Sequence, residues 1–267
     1  MLNFISFGSG SSGNCYLLYT ENTGLLIDFG ISSRAMKKMF REYGIPLSCV
    51  THVLITHDHA DHVKSVGSIS NDLHVPVYAT ADVFRGIEHN YCVRRKVNGA
   101  SQHIITAGAS FRLGPFRVKS FTVPHDSNDN VGYRITCGNT VFCLMTDVGH
   151  VTEEMKTYIG EADYLVLEAN HDEEMLRGGP YSDYLKVRVG GDNGHLSNRD
   201  CAQALADYAS PRLKHVWLCH LSEENNHPEL ARKTVEMILR SHGIVAGKDF
   251  QLDVLKRKTP SGPFTLE

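Results

Sequence analysis

VLITHDHADH, residues 53–62, passes from three apolar side chains into three histidines and two aspartates. A short apolar run that stops at polar residues reads as a buried strand feeding a loop. In an extended turn His57 and His59 point to one side, so both imidazoles can reach one ion. Asp61 and His62 come after the chain bends and can reach a neighbouring ion. Nitrogen and oxygen donors without cysteine suit Zn²⁺, Mn²⁺ or Fe²⁺. The bland alternative is a solvated loop. A lone histidine favours that reading, and the HxHxDH cluster does not.

Three further polar clusters follow directly on apolar strands: PHDSND after SFTV, TDVGH after FCLM, and HLSEENN after VWLC. Such strand ends favour active sites, because the sheet fixes a position while the loop supplies side chains. Around them, LNFISF, CYLLYT and LLIDF read as strands, with the turn GSGSSGN between the first two. SSRAMKKMFREYG reads as a helix capped by Ser32 or Ser33 and stopped by Gly44. HVLIT is a strand, a helix begins near His62, PVYAT is a strand and ADVFRGIEHN a helix. SFRLGPFRVKSFTV and the VGYRITC/TVFCLMTD pair read as hairpins. The second half alternates TEEMKTYIG, YLVLEAN, NRDCAQALADYA, HVWLCH and PELARKTVEMILRSHG. No linker or repeat divides the chain, so residues 1–267 read as one α/β domain with two sheets packed together and helices outside.

Composition narrows the class. Of the 267 residues, 42% are hydrophobic and 21% charged, which describes a soluble globular protein. No apolar run approaches the ~20 residues that cross a bilayer, and MLNFISFGSGSSGN does not read as a signal peptide. The seven cysteines form no CxxC pair and mostly sit in apolar contexts, as expected of reduced core thiols in the cytoplasm. The formal charge of −3 does not advertise a nucleic-acid binder, although two divalent ions would shift it to +1. Arg94-Arg95-Lys96 and Lys256-Arg257-Lys258 are basic clusters able to touch a phosphate backbone. The oligomeric state is not readable.

HxHxDH with isolated His and Asp residues downstream resembles the metallo-β-lactamase superfamily over nearly the whole chain. The resemblance implies an αββα sandwich, two mixed sheets packed between helices, with two divalent metal ions (zinc, manganese or iron). Carried over by position, His57, His59 and His125 would hold one ion. Asp61, His62 and His220 would hold the other, Asp147 would bridge them, and Asp28 would organise the site. Each downstream residue has a competitor. Asp126 stands beside His125, Asp147 is also placed to cap the helix near Thr152, and His215 and His227 compete with His220. The penicillin-hydrolysing class uses a cysteine where this chain has Asp147, which argues against antibiotic hydrolysis.

LEANHDEEML and GGDNGHLSN resemble the segments that give tRNase Z-like phosphodiesterases a glutamate and a histidine, here Glu168 and His195. With GSGSSGN and HLSEENN, the pattern is similar to the YycJ/WalJ group of bacterial metallohydrolases. That resemblance implies a 5′→3′ exonuclease on double-stranded DNA, working in the cytoplasm with a metal-bound hydroxide as nucleophile. Asp61, His195 and Glu168 are the expected catalytic residues, with His195 as general acid. Ser12, Asn14, Ser197 and Ser222 are the expected phosphate contacts. Bland readings stand beside these: GSGSSGN as a hairpin loop, His195 as a structural residue ahead of a cap at Asn198, His150 and His171 as exposed loop histidines. A small-molecule or cyclic-nucleotide phosphodiesterase and a glyoxalase-like thioester hydrolase are the alternative functions.

Overall fold

A computed structural model describes residues 1–267. The chain opens with three antiparallel strands, β1 (Leu2–Gly8), β2 (Cys15–Tyr19) and β3 (Gly24–Ile27). Helix α1 (Ser33–Glu42) follows, its N-terminus capped by the Ser32 hydroxyl accepting from the Ala35 N–H. Strand β4 (Val50–Leu54) leads into two short helices, α2 (Ala60–Val63) and α3 (Val66–Leu73). The helix expected from about His62 begins two residues earlier, at Ala60, and breaks at Lys64-Ser65. Strand β5 (Val77–Ala79), helix α4 (Ala81–His89) and strand β6 (Gln102–Ile104) complete this region.

The hairpin β7 (Ser110–Leu113) and β8 (Phe116–Thr122) comes next, then β9 (Val131–Cys137) and β10 (Thr140–Met145). Helix α5 (Glu153–Glu161) starts at a Thr152 cap, so Asp147 has no capping duty there. Strand β11 (Tyr164–Glu168) precedes α6 (Glu173–Gly178), α7 (Asp183–Val189) and α8 (Asn198–Tyr208). Strand β12 (His215–Cys219), helix α9 (Pro228–Ser241), strand β13 (Gln251–Val254) and strand β14 (Ser261–Leu266) end the chain.

Two mixed seven-stranded sheets result, ordered β14-β1-β2-β3-β4-β5-β6 and β13-β12-β11-β10-β9-β8-β7. Strands β3 to β6 are parallel neighbours, as are β10 to β13, and the most buried of them, β3, β10, β11 and β12, are nearly unbroken apolar runs. The chain divides into two compact units, Met1–Ser120 with Ser127–Val131 and Lys256–Glu267, and Phe121–Asp126 with Gly132–Leu255. Each carries its own core. In the first, Phe7, Phe40, Val53 and Ile55 are among the buried residues; in the second, Phe121, Met145, Leu167 and Leu218. No helix is long and apolar enough to cross a membrane.

Candidate metal and catalytic centre

Within the first unit, the buried strand β4 delivers Thr56 to Asp28, which lies just past the end of β3. The Thr56 N–H donates to Asp28 Oδ1 at 2.8 Å and the Thr56 hydroxyl to Oδ2 at 2.9 Å. His62 Nδ1 donates to the same Oδ2 at 2.8 Å, and both partners are fully buried. Because the Thr56 proton points at Asp28, its oxygen accepts from His57 Nδ1 at 3.0 Å. Both imidazoles are therefore fixed with Nδ1 as donor and Nε2 as the lone-pair nitrogen, the state a metal requires. The His57 ring centroid lies 4.1 Å from that of His62 and 4.7 Å from that of His59. Asp61, its side chain 22% exposed, places Oδ2 3.6 Å from His62 Nε2.

The turn is braced by residues remote in sequence. Asn14 is wholly buried; its backbone N–H donates to the Asp61 carbonyl at 2.7 Å and its Nδ2 lies 2.8 Å from His62 Nε2. Its Oδ1 accepts from the Gly10 N–H, so GSGSSGN is tied inward rather than left as a loose loop. Gly30 allows the approach, since a Cβ there would sit 1.5 Å from the Asp61 carbonyl oxygen. Asp58, central to the motif but given no role by the sequence, accepts from Asn128 Nδ2 at 2.5 Å, while its carbonyl accepts from Asn90. Nothing in the local pattern names those partners; only the position of Asp58 among the histidines hinted at it.

The second unit contributes His125, Asp147, Glu168, His195 and His220, each at or near a strand end or loop. Asp147 Oδ1 lies 3.7 Å from His125 Nε2, 3.5 Å from His220 Nδ1 and 3.8 Å from His195 Nδ1. These separations exceed hydrogen bonds. The His125 Nε2 separation matches two donors on one ion, which at bond lengths near 2.1 Å in tetrahedral geometry stand roughly 3.4 Å apart. The Nδ1 atoms of His195 and His220 instead carry protons directed at Glu168. Ligand atoms of Asp147, Glu168, His195 and His220 all lie within 4.8 Å of one another. His125 Nδ1 donates to the Gly194 carbonyl at 2.9 Å, leaving Nε2 toward Asp147. This mixed imidazole and carboxylate set, with its outer hydrogen bonds in place, fits a divalent ion.

Glu168 is fully buried and holds two histidines. Its Oε1 accepts from His195 Nδ1 at 2.8 Å and from His220 Nδ1 at 3.0 Å. Its Oε2 accepts from the backbone N–H groups of Val148 and Leu196, at 2.6 and 3.1 Å. Burial alone would raise its pKa, but the His195 charge and the histidine hydrogen bonds bring it down to about 2. For His195 burial acts downward, and the Glu168 charge and hydrogen bond outweigh it, so its pKa is raised.

Residues 23–220 match the family model of the beta-lactamase superfamily domain. The chain belongs to the metallo-β-lactamase superfamily. It is 35% identical over 260 residues to a Bacillus anthracis protein named exodeoxyribonuclease YycJ, covering 97% of each chain. It is 36% identical over 244 residues to exodeoxyribonuclease WalJ of Streptococcus pneumoniae, covering 91% of this chain and 90% of that one. The fold agrees with zinc-bound PqqB of Methylobacterium extorquens, with a TM-score of 0.71 at 16% identity over 97% of this chain and 99% of that one.

Other sequence-derived residues of this superfamily member separate by environment. Ser12 is exposed, with its carbonyl accepting from Lys64. Ser197, not Asn198, caps α8: its hydroxyl accepts from the Asp200 N–H at 3.0 Å. Ser222 is buried and accepts from the Asn225 N–H. Asp126 pairs through Oδ2 with Arg188, while its Oδ1 lies 3.4 Å from His125 Nε2. His215 stacks on Trp217 and bonds Asp253, and His227 caps α9, so these two histidines are engaged elsewhere. His150 is exposed as expected, whereas His171 is buried at 3% exposure. Of the first basic cluster, Arg95 is paired with Asp72 and Lys96 bonds two carbonyls, leaving Arg94 on the surface.

Proposed function

We propose that this chain is a metal-dependent nuclease that removes nucleotides from the 5′ end of duplex DNA in the cytoplasm. Its Exodeoxyribonuclease relatives supply the substrate class, and the resemblance of GSGSSGN, LEANHD, GHLSN and HLSEENN supports the polarity. By the resemblance, His57, His59 and His125 would hold one ion and Asp61, His62 and His220 another, with Asp147 as a common ligand. Its Oδ1 faces several imidazoles while Oδ2 accepts from the Thr146 hydroxyl, which leaves Oδ1 for metal. When bound, such ions acidify a water and neutralise charge on the phosphoryl oxygens.

The observation that carries the phosphodiester reading is the His195–Glu168 pair. An alkoxide is a poor leaving group and needs a proton as the P–O bond breaks; a thiolate does not. His195 donates through Nδ1 to Glu168, so Nε2 is the nitrogen that delivers the proton. The carboxylate is what would keep that imidazolium charged beside bound cations. Its side chain is 20% exposed, enough to meet a substrate while Glu168 stays buried.

Two substrates test the pair. His195→Ala should retain its metals and slow DNA cleavage about 10²–10⁴-fold, the usual contribution of a general acid. An aryl phosphodiester, whose phenolate departs without a proton, should lose far less. Glu168→Gln should follow the same pattern more mildly. Equal losses on both substrates, or loss of metal, would make His195 a metal-supporting residue instead.

A further inference from the structure

A cavity of about 730 Å³ opens beside His195, lined also by His171, Arg177, Lys186, Gln203 and Tyr208. Its size falls in the ~300–1,000 Å³ range of small-molecule sites, room for a nucleotide but not for a duplex. Four acidic side chains, Glu173, Asp192, Asp200 and Asp207, also line it, and three of them have side-chain partners. Glu173 faces Arg199, Asp200 takes the Ser197 hydroxyl, and Asp207 takes the Gln203 amide. Lys186 Nζ donates to the Arg177 carbonyl at 2.9 Å. The Arg177 guanidinium makes no ion pair and remains an uncommitted charge on the wall. His171 is buried with Nδ1 lacking a hydrogen-bond partner, a polar group that an incoming ligand or its water would satisfy.

We propose that this cavity receives the group leaving on the His195 side: one nucleotide, the 5′-terminal one, with its 5′-phosphate at Arg177. The inference rests on the nuclease reading and adds a site and a ligand class to it. In hydrolysis, oxygen from water bonds to phosphorus and the P–O3′ bond breaks. The electron pair goes to O3′, which takes its proton from His195. The fragment carrying that O3′ starts within hydrogen-bond reach of His195, where the cavity lies. A cavity of this size seats a terminal residue on that side. Since the leaving fragment ends in O3′, the residue so admitted is the 5′ one. Arg177 fits a phosphate by charge and by its fork of donors.

The test is calorimetric binding of deoxyadenosine 5′-monophosphate and of deoxyadenosine to the purified, metal-loaded protein. Arg177→Ala and Gln203→Trp, both at exposed positions, serve as variants, with melting temperatures as a folding control. Arg177→Ala should weaken the monophosphate tenfold or more and leave the nucleoside nearly unchanged, whereas Gln203→Trp should weaken both. That pattern supports the cavity site even if no DNA is cleaved, in which case the nuclease reading alone fails. Monophosphate binding that neither variant alters overturns the proposal, even if DNA is degraded, because the phosphate then binds elsewhere.

Discussion

Asp28, Asp147 and His220 adopt left-handed backbone conformations, with φ of 59°, 55° and 52°. Such angles cost a non-glycine residue of order 1 kcal/mol or more, and they cluster where a side chain must be aimed. All three lie just past the ends of buried strands, where the sheet holds the turn in place. Asp28 makes the consequence testable. It carries the hydrogen bonds that set Thr56, His57 and His62, so Asp28→Asn should leave the chain folded but remove the charged acceptor for His62 Nδ1. Metal affinity, measured by competition with a chelator, should fall about 10–100-fold. Unchanged affinity would mean that the histidines orient themselves without it. At this scale the sequence was informative about ligand types, because HxHxDH compresses the chemistry into one turn. It was silent on Asp58 and on the inward ties of Asn14, whose partners depend on tertiary contacts.

At the scale of elements, the strands that carry the site were legible because parallel, doubly covered strands are continuous apolar runs. Strand β14 was not. SGPFTL contains glycine and proline, and it is a strand only because it pairs with β1 at the opposite end of the chain, at a sheet edge where proline is tolerated. Helix α7 was also invisible, since none of its residues is buried and no apolar stripe marks it. Two predictions belong here. Ser197→Ala removes the α8 cap and should cost about 1 kcal/mol, read by thermal melting, with DNA affinity nearly intact. A clear loss of DNA affinity without a change in melting would restore Ser197 as a phosphate contact. Gly30→Ala forces a methyl group into the Asp61 carbonyl. It should destabilise by about 1–3 kcal/mol and lower metal content together, because the same turn holds Asp61. Normal stability and metal content in that variant would show the turn to be more yielding than its close contact implies.

For the whole molecule, fold and family were legible through the resemblance carried by HxHxDH and the segments downstream of it, while the cavity beside His195 was not. It is assembled from α6, α7, α8 and the loop before His195, segments with no shared sequence signal. The formal charge of −3 likewise gives little sign of a DNA substrate. In this account the attraction comes mainly from bound cations at the centre, so removing them should abolish both cleavage and much of the binding. The most direct measurement is a time course on duplex DNA labelled at the 5′ or 3′ end, using protein stripped by chelation and then reloaded with Mn²⁺. The account predicts no cleavage by the stripped protein. After reloading, the 5′ label should appear at once as mononucleotide, and the 3′-labelled strand should shorten progressively. Intact DNA, RNA and single strands after reloading, alongside efficient hydrolysis of a thioester, would contradict it.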